Sequence, residues 1–492
     1  MAYGMRLLEL VRATSTGQRT DGCLQRQHPE RAGEGGVKGL FLAACLIFLG
    51  AWFPHGASLV DTSGKFFSVS TVSMTSTICN TKGTATGNSC VLSSDLTIAN
   101  ENLDISGWTF SGAGRLILSG TVSLTGPSST GTIANLGTGA GQAVFVQDSG
   151  SYSIQGITFS GVTAATTALG INPTSNATIN LLRIVSNTFT NCNYGYLRNG
   201  GLGTIASSYI TNNTFSNLQG DAIELNVVPN DANILISGNS ITGVNNTHSQ
   251  SNWGIGIGIA GAAYSENFPV GAAVRNFTIT NNTLSYMLQG IHVETGTSFT
   301  ISNNNISHII STYSGGSGLQ EAGIVTYGAG NFTISNNTIS LDDASDGILV
   351  APGSVPGVPT VASTPNGSAL LQFSSVPSIV GGGTSIADLT SGSVIPGGTT
   401  ISTSTTTTVT MSATATGAGV ALGDTIQFGG YPVYFGLPIN FTISSNTMNA
   451  NATVAGIYWA STGTIHLTNN TGPSFSVYPS IGGNVVQSGN SW

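Results

Sequence analysis

The sequence predicts an all-β protein, a single-stranded right-handed parallel β-helix carrying one small inserted β module. Three observations support this. A six-residue phrase built around asparagine recurs along the chain, apolar and small polar residues alternate at period two between the copies, and charge is scarce, at 7% of 492 residues. The 67 glycines and a 40% apolar content rule out a disordered chain and suit many short strands joined by tight turns.

The phrase appears as "IVSNTF" at 184, "ITNNTF" at 210, "ISGNSI" at 236, "ITNNTL" at 279, "ISNNNI" at 301, "ISNNTI" at 334, "ISSNTM" at 443 and "LTNNTG" at 467. Its aligned asparagines are Asn187, Asn213, Asn239, Asn282, Asn304, Asn337, Asn446 and Asn470, spaced by 26, 26, 43, 22, 33, 109 and 24 residues. A unit in the low-to-middle twenties is one coil of a β-helix, and stacked coils turn such asparagines into an amide ladder. Many of these positions match N-x-Ser/Thr, but the repeat accounts for them better than glycosylation does. "IQGITF" at 154 and "ISGWTF" at 105 start the solenoid earlier.

The organisation follows from these copies. Residues 1–60 read as an upstream extension and signal peptide, because "GLFLAACLIFLGAWF" at 39–53 is too short for a comfortable membrane span and is followed by Pro54 and "HGAS". The long basic stretch before it suggests a start near Val37; an uncleaved leader acting as a membrane anchor is the alternative. Export to the periplasm, cell surface or exterior follows from that reading. Residues 61–350 form the β-helix, 351–438 an inserted Thr/Gly-rich β module, and 439–492 the last coils and a cap. Low-complexity disorder is the competing reading of the insert.

Beyond residue 38 there are six basic and sixteen acidic residues, so no basic stripe exists for nucleic acid. Cys79 and Cys90 bracket a turn-rich loop and could pair in an oxidising compartment. Cys192 reads as a small buried residue. No Cys/His spacing of a metal site occurs, and the sequence implies no cofactor. Asp342, Asp343 and Asp346 offer oxygen donors for calcium, although an acidic surface turn is the commoner use of such a cluster.

The candidate site comes from stacking the strands that follow each asparagine phrase. In "AIELN" at 222, Ile223 and Leu225 point inward, leaving Glu224 and Asn226 outside. In "GIHVE" at 290, Ile291 and Val293 point inward, leaving His292 and Glu294 outside. The intervening coil holds "NWGIGIGIAG" at 252, in which Ile255, Ile257 and Ile259 fill the core and Gly256 and Gly258 face out. One face then has a bare glycine rung between two polar rungs, roughly 10 Å across. Trp253 and Asn252 could stack on and bond a sugar ring there, with Tyr327 of "GIVTY" on the following rung. Glu224 and Glu294 are candidate paired carboxylates for glycoside hydrolysis, with Asp221 as a second base or orienting partner and His292 tuning its neighbours. A turn-capping Asp221 and glycines covered by a packed loop are the bland alternative. A β-eliminating lyase is the rival chemistry, with Arg183, Arg198 and Arg275 as the only nearby strong cations.

"GDAIELN", "NWGIGIGIAG", "AVRNFTITNN" and "GIHVE", in this order, resemble the β-helix proteins of enteric colanic-acid biosynthesis clusters and related exopolysaccharide-degrading phage tailspikes of the pectate-lyase-like superfamily. The resemblance covers residues 219–310. It implies an extracytoplasmic or export-associated role on an acidic exopolysaccharide, with Asp221, Glu224, Asn226, Asn252, Trp253, His292 and Glu294 carried over by matching motifs. The chain departs from the pattern at Leu225, where the family often has Trp, and in the 351–438 insertion. A leader favours an exported bacterial protein over a tailspike. The implied partner is a polysaccharide that is either cleaved or only bound during assembly. A surface adhesin is a third reading, and β-helices of this kind often form homotrimers.

Overall fold

Each coil consists of three short strands, and the turn chemistry sets where one ends and the next begins. The computed structural model describes residues 70–492 except 127–130, 162–165, 175, 200–202, 227, 229–230, 245–253, 261–273, 295, 310–320, 343–345, 352, 377–381, 383–384, 389, 392–393, 398, 432–439, 455–463 and 478–483. The predicted leader at 39–53 lies outside the described residues, among which no helix is long and apolar enough to cross a membrane. One coil runs through Phe277–Thr280, Thr283–Met287 and Gln289–Glu294. The next runs through Gly296–Ser302, Asn305–Ile309 and Ala322–Tyr327. The strands of these coils pair in parallel with their equivalents one coil on, as in Ile279↔Ile301 and Ile301↔Ile334. This is the expected parallel β-helix.

The asparagine ladder is present at all eight predicted positions. Asn213 Nδ2 donates to Asn239 Oδ1 at 3.0 Å, Asn239 Nδ2 to Asn282 Oδ1 at 2.9 Å, and Asn282 Nδ2 to Asn304 Oδ1 at 3.0 Å. Each amide also donates inward to a coil carbonyl, as Asn282 does to Ile236 O at 3.0 Å. The ladder asparagines are at most 2% exposed, so they are closed to glycosylation. The residue before each one takes a left-handed conformation, which explains Asn, Gly or Ser there (Asn212, Gly238, Asn281, Asn303). Asn490, a ninth rung that accepts from Asn470, ends the ladder. The sequence reading missed it because "QSGNSW" has Gln487 where every other copy opens with Ile or Leu.

Inside the coil, equivalent apolar side chains stack. Phe277, Phe299, Phe332 and Phe441 form one column with ring centroids 4.5–4.9 Å apart. Phe159, Phe189 and Phe215 form another at 4.7 Å. One charge pair is enclosed with them: Arg198 Nε lies 3.0 Å from Asp231 Oδ2, both side chains being 1% exposed.

At the N-terminal end, helix Ser76–Asn80 is capped by Thr75 and tied to strand Ser89–Leu92 by the Cys79–Cys90 disulfide. Cys192 is buried and not in a disulfide. Within 353–431 the chain leaves the coil and forms two three-stranded antiparallel sheets. These sheets enclose a separate core that includes Leu371, Val409, Ile426 and Phe428. Asn337 Nδ2 nevertheless donates to Asn446 Oδ1 at 2.9 Å across the 109-residue interval, so the coils stack without a break.

Candidate functional site

The strands Tyr196–Asn199, Ile223–Asn226, Ile255–Ala260, Gln289–Glu294, Ala322–Tyr327 and Asp346–Ala351 lie side by side on one face of the coil. Their register sets the site. Glu224 pairs with Gly258 and Gly258 with His292, while Ala260 pairs with Glu294 and Glu294 with Tyr327. Glu224 and His292 therefore stand two rungs apart with one glycine between them.

Of the two proposed floor glycines, only Gly258 faces outward, and it is buried, as the alternative of covered glycines expects. A β-carbon on Gly258 would meet Ile255 Cγ2 at 3.6 Å and Glu224 Cγ at 4.0 Å, ordinary contacts on the Glu224 side. A β-carbon on Gly256 would meet Met287 Sδ at 2.6 Å and Leu284 Cδ2 at 2.7 Å, which are core side chains. Gly256 therefore faces inward. Correspondingly, Ile255 is buried but outside the core cluster, on the Gly258 side, whereas Ile257 and Ile259 are in the core. Strict alternation fails because the chain turns a corner here, so that Gly256 and Ile257 both point inward.

The same corner recurs in neighbouring coils as a residue followed by a small one and Ile. Asp221-Ala222-Ile223, Gln289-Gly290-Ile291 and Asp346-Gly347-Ile348 share it. Asp221 is 4% exposed, and its Oδ1 accepts the Ile255 N–H at 2.8 Å. It does resemble a turn cap. Burial also pushes its carboxyl up to about 7, against the opposing pull of that N–H and of His292.

Glu224 is only partly buried in its surface exposure, yet burial of its carboxyl raises its proton affinity well above the carboxylate range. The neighbouring charges of Asp221 and Glu294 add to this effect.

His292 points away from the core, as expected, but is 2% exposed. Its Nδ1 lies 2.6 Å from Gln289 Oε1 and its Nε2 lies 3.0 Å from Glu294 Oε1. The two contacts fix the plane of the ring, with one nitrogen toward Gln289 and the other toward Glu294. Tyr327 packs beside it, ring centroids 5.4 Å apart, and burial with the Glu294 and Asp346 charges raises its phenol to about 12.

Asn226 is 8% exposed and its Oδ1 has no hydrogen-bond partner among the described residues, so its outward amide is covered, not open. Asn252 and Trp253 lie outside the described residues. Gln289 and Tyr194 were not anticipated. Tyr194 has its phenol raised by burial, Glu224 and Asp221. The polar–small–Ile phrase was the signal that could have found Gln289.

The three candidate cations divide differently from the sequence expectation. Arg198 points into the core and is committed to Asp231. Arg183 and Arg275 lie on a neighbouring strip of strands, paired with Tyr209 and Thr297. Of the three aspartates weighed as calcium ligands or an acidic surface turn, the two that are described have different surroundings. Asp342 is held by His308 Nδ1 at 3.1 Å, Asp346 is buried at the start of a site strand, and Asp343 lies outside the described residues.

The fold and this face define a parallel β-helix protein with a buried cluster of acids beside a histidine on its outer wall. Residues 75–371 match the family described as colanic acid biosynthesis WcaM, and the chain belongs to that family. It is 42% identical over 176 residues to the colanic acid biosynthesis protein WcaM of Shigella flexneri, an alignment spanning 36% of this chain and 37% of that protein. Its identity to the protein of that name from Salmonella typhimurium strain LT2 is 41% over 170 residues, 35% and 36% of the two chains. The chain thus spans little more than a third of the length of these relatives. A mutant tailspike protein of E. coli bacteriophage HK620, solved with a pentasaccharide, is similar over 84% of this chain and 60% of its own, at 10% identity and a TM-score of 0.31.

Proposed function

We propose that this polysaccharide-related β-helix protein is exported and cleaves glycosidic bonds in an acidic exopolysaccharide by hydrolysis. The observation that carries this is the register Glu224–Gly258–His292, which leaves one rung of the acidic face without a side chain. Gly258 is itself buried, so a sugar ring reaches this rung by displacing what covers it, and then lies between an acid held protonated and a histidine–carboxylate pair.

In this reading Glu224 is the general acid. Its raised proton affinity keeps a proton available for the departing glycosidic oxygen. Glu294, with His292 on its Oε1, takes the proton from an attacking water. Two rungs and two residues separate Glu224 from Glu294, so their Cα atoms are about 12 Å apart. Side chains leaning across Gly258 shorten that gap toward the roughly 6.5–9.5 Å typical of inverting enzymes. Asp221, close enough to repel Glu224, helps keep it protonated. Hydrolysis is preferred to elimination because Arg198 is committed to the core and Arg183 and Arg275 lie on another strip.

A second reading has its own support. Glu294 is already bonded to His292, which suits a protein that holds the polymer during assembly without activating water. Incubation of the protein with colanic acid separates the two. New reducing ends without unsaturated products support hydrolysis, and polymer retention without new ends supports binding alone.

A further inference from the structure

Outside this face, one surface feature has no role in the site described. Near the end of the second strand, five successive coils carry a column of residues in left-handed conformation: Asn191, Asn217, Gly243, Tyr286 and His308, with φ of 52–68°. Asn and Gly are ordinary there; a large aromatic residue is not. Tyr286 is nevertheless 49% exposed, so the conformation gives it no burial in return.

The two rings are ordered. Tyr286 and His308 stack with centroids 4.5 Å apart and planes within 6°. His308 is fixed from its far side, its Nδ1 lying 3.1 Å from both carboxylate oxygens of Asp342. On the other side of Tyr286 the preceding rung is Gly243, as the pairings Thr242↔Ser285 and Ser285↔Ser307 require. Asn217 lies below, with its Oδ1 3.1 Å from where a β-carbon of Gly243 would sit. Asp342, His308 and Tyr286 thus form a braced stack that ends on a glycine rung, into which the Asn217 amide leans from the rung below and no other described residue projects. Tyr286 is three residues before Gln289, the partner of His292.

We propose that the Tyr286 face over Gly243 is an accessory subsite that stacks one pyranose ring of the exopolysaccharide, with Asn217 bonding its hydroxyls. This inference rests on the carbohydrate reading of the neighbouring face. Flat aromatic faces take the apolar side of a sugar ring, and the rung spacing of about 4.8 Å has the depth of one such ring over the Asn217 amide.

The test uses colanic-acid oligosaccharides from partial acid hydrolysis as probe, with dextran for comparison. Tyr286→Asn keeps a residue suited to the left-handed position while removing the ring, and Gly243→Asn fills the glycine rung. Each is expected to weaken binding about tenfold while the melting temperature is retained. Glu224→Gln is expected to abolish cleavage and leave this binding intact, so failure of the cleavage reading and failure of the subsite are distinguishable. Where cleavage occurs, Tyr286→Asn raises KM with kcat unchanged. Unchanged binding by both variants, equal binding of dextran, or no binding by the unaltered protein overturns the proposal.

Discussion

Glu224 and His292 occupy the same register position two strands apart, with Gly258 alone between them. Acid, buried glycine and histidine thus line up across the strands, and the pairing of the coils fixes the alignment more firmly than any loop could.

Exchange of the acid is expected to separate activity from stability. In Glu224→Gln a buried carboxyl repelled by Asp221 and Glu294 becomes a neutral isostere. Oligosaccharide release should fall by about 10²–10⁴-fold, while the melting temperature at pH 8 holds or rises. Product assays and thermal melts of the same preparation check both.

The same carboxyls set a pH dependence of opposite sign to that of an ordinary ion-paired acid. Asp221 and Glu224 bind protons more tightly folded than unfolded, so the folded state holds more protons between the two affinities. Their contribution to stability is fully present below about pH 4 and is lost as pH rises through about 7, the folded value of Asp221. Urea melts across this range should show the decline, and Asp221→Asn should flatten it.

Two glycines two residues apart should respond differently. Gly256→Ala drives a methyl against Met287 and Leu284 and is expected to cost about 1–3 kcal/mol. Gly258→Ala makes only ordinary contacts, so stability should stay within about 1 kcal/mol while polymer binding weakens, because the methyl occupies the floor. Denaturant titrations and binding measurements on the pair would establish which glycine is in the site.

The ladder offers a test of the fold itself. Asn282→Ala removes an acceptor for the Asn239 backbone and amide N–H groups and a donor to Ile236 O. Several buried groups lose partners, and a loss of about 3 kcal/mol is expected in urea unfolding. A change below about 1 kcal/mol would mean that the ladder is not a major source of coil stability.

Much of this architecture was legible in the sequence because its causes are local and repeated. The Asn phrase specifies both a left-handed turn and a buried amide, so eight copies mark eight rungs. Glu224, Gly258, His292 and Glu294 were placed in the right register because the strands alternate at period two once past the corner. Gly256 and Ile255 were misplaced because that alternation was extended through the corner, where two consecutive residues face in. The burial of His292 and its Gln289 partner depends on packing above the sheet, which no periodicity reports. Arg198 was read as a nearby cation, but its pairing with Asp231, thirty-three residues away, places it in the core.

The most direct measurement follows reducing ends released from colanic acid over time by the unaltered protein and by the Glu224→Gln and Glu294→Gln variants. Steady release by the former, with neither variant active and no absorbance from unsaturated uronates, is the predicted result. Equal release by all three proteins, or none by any, would contradict cleavage at the face where Glu224, Gly258 and His292 align.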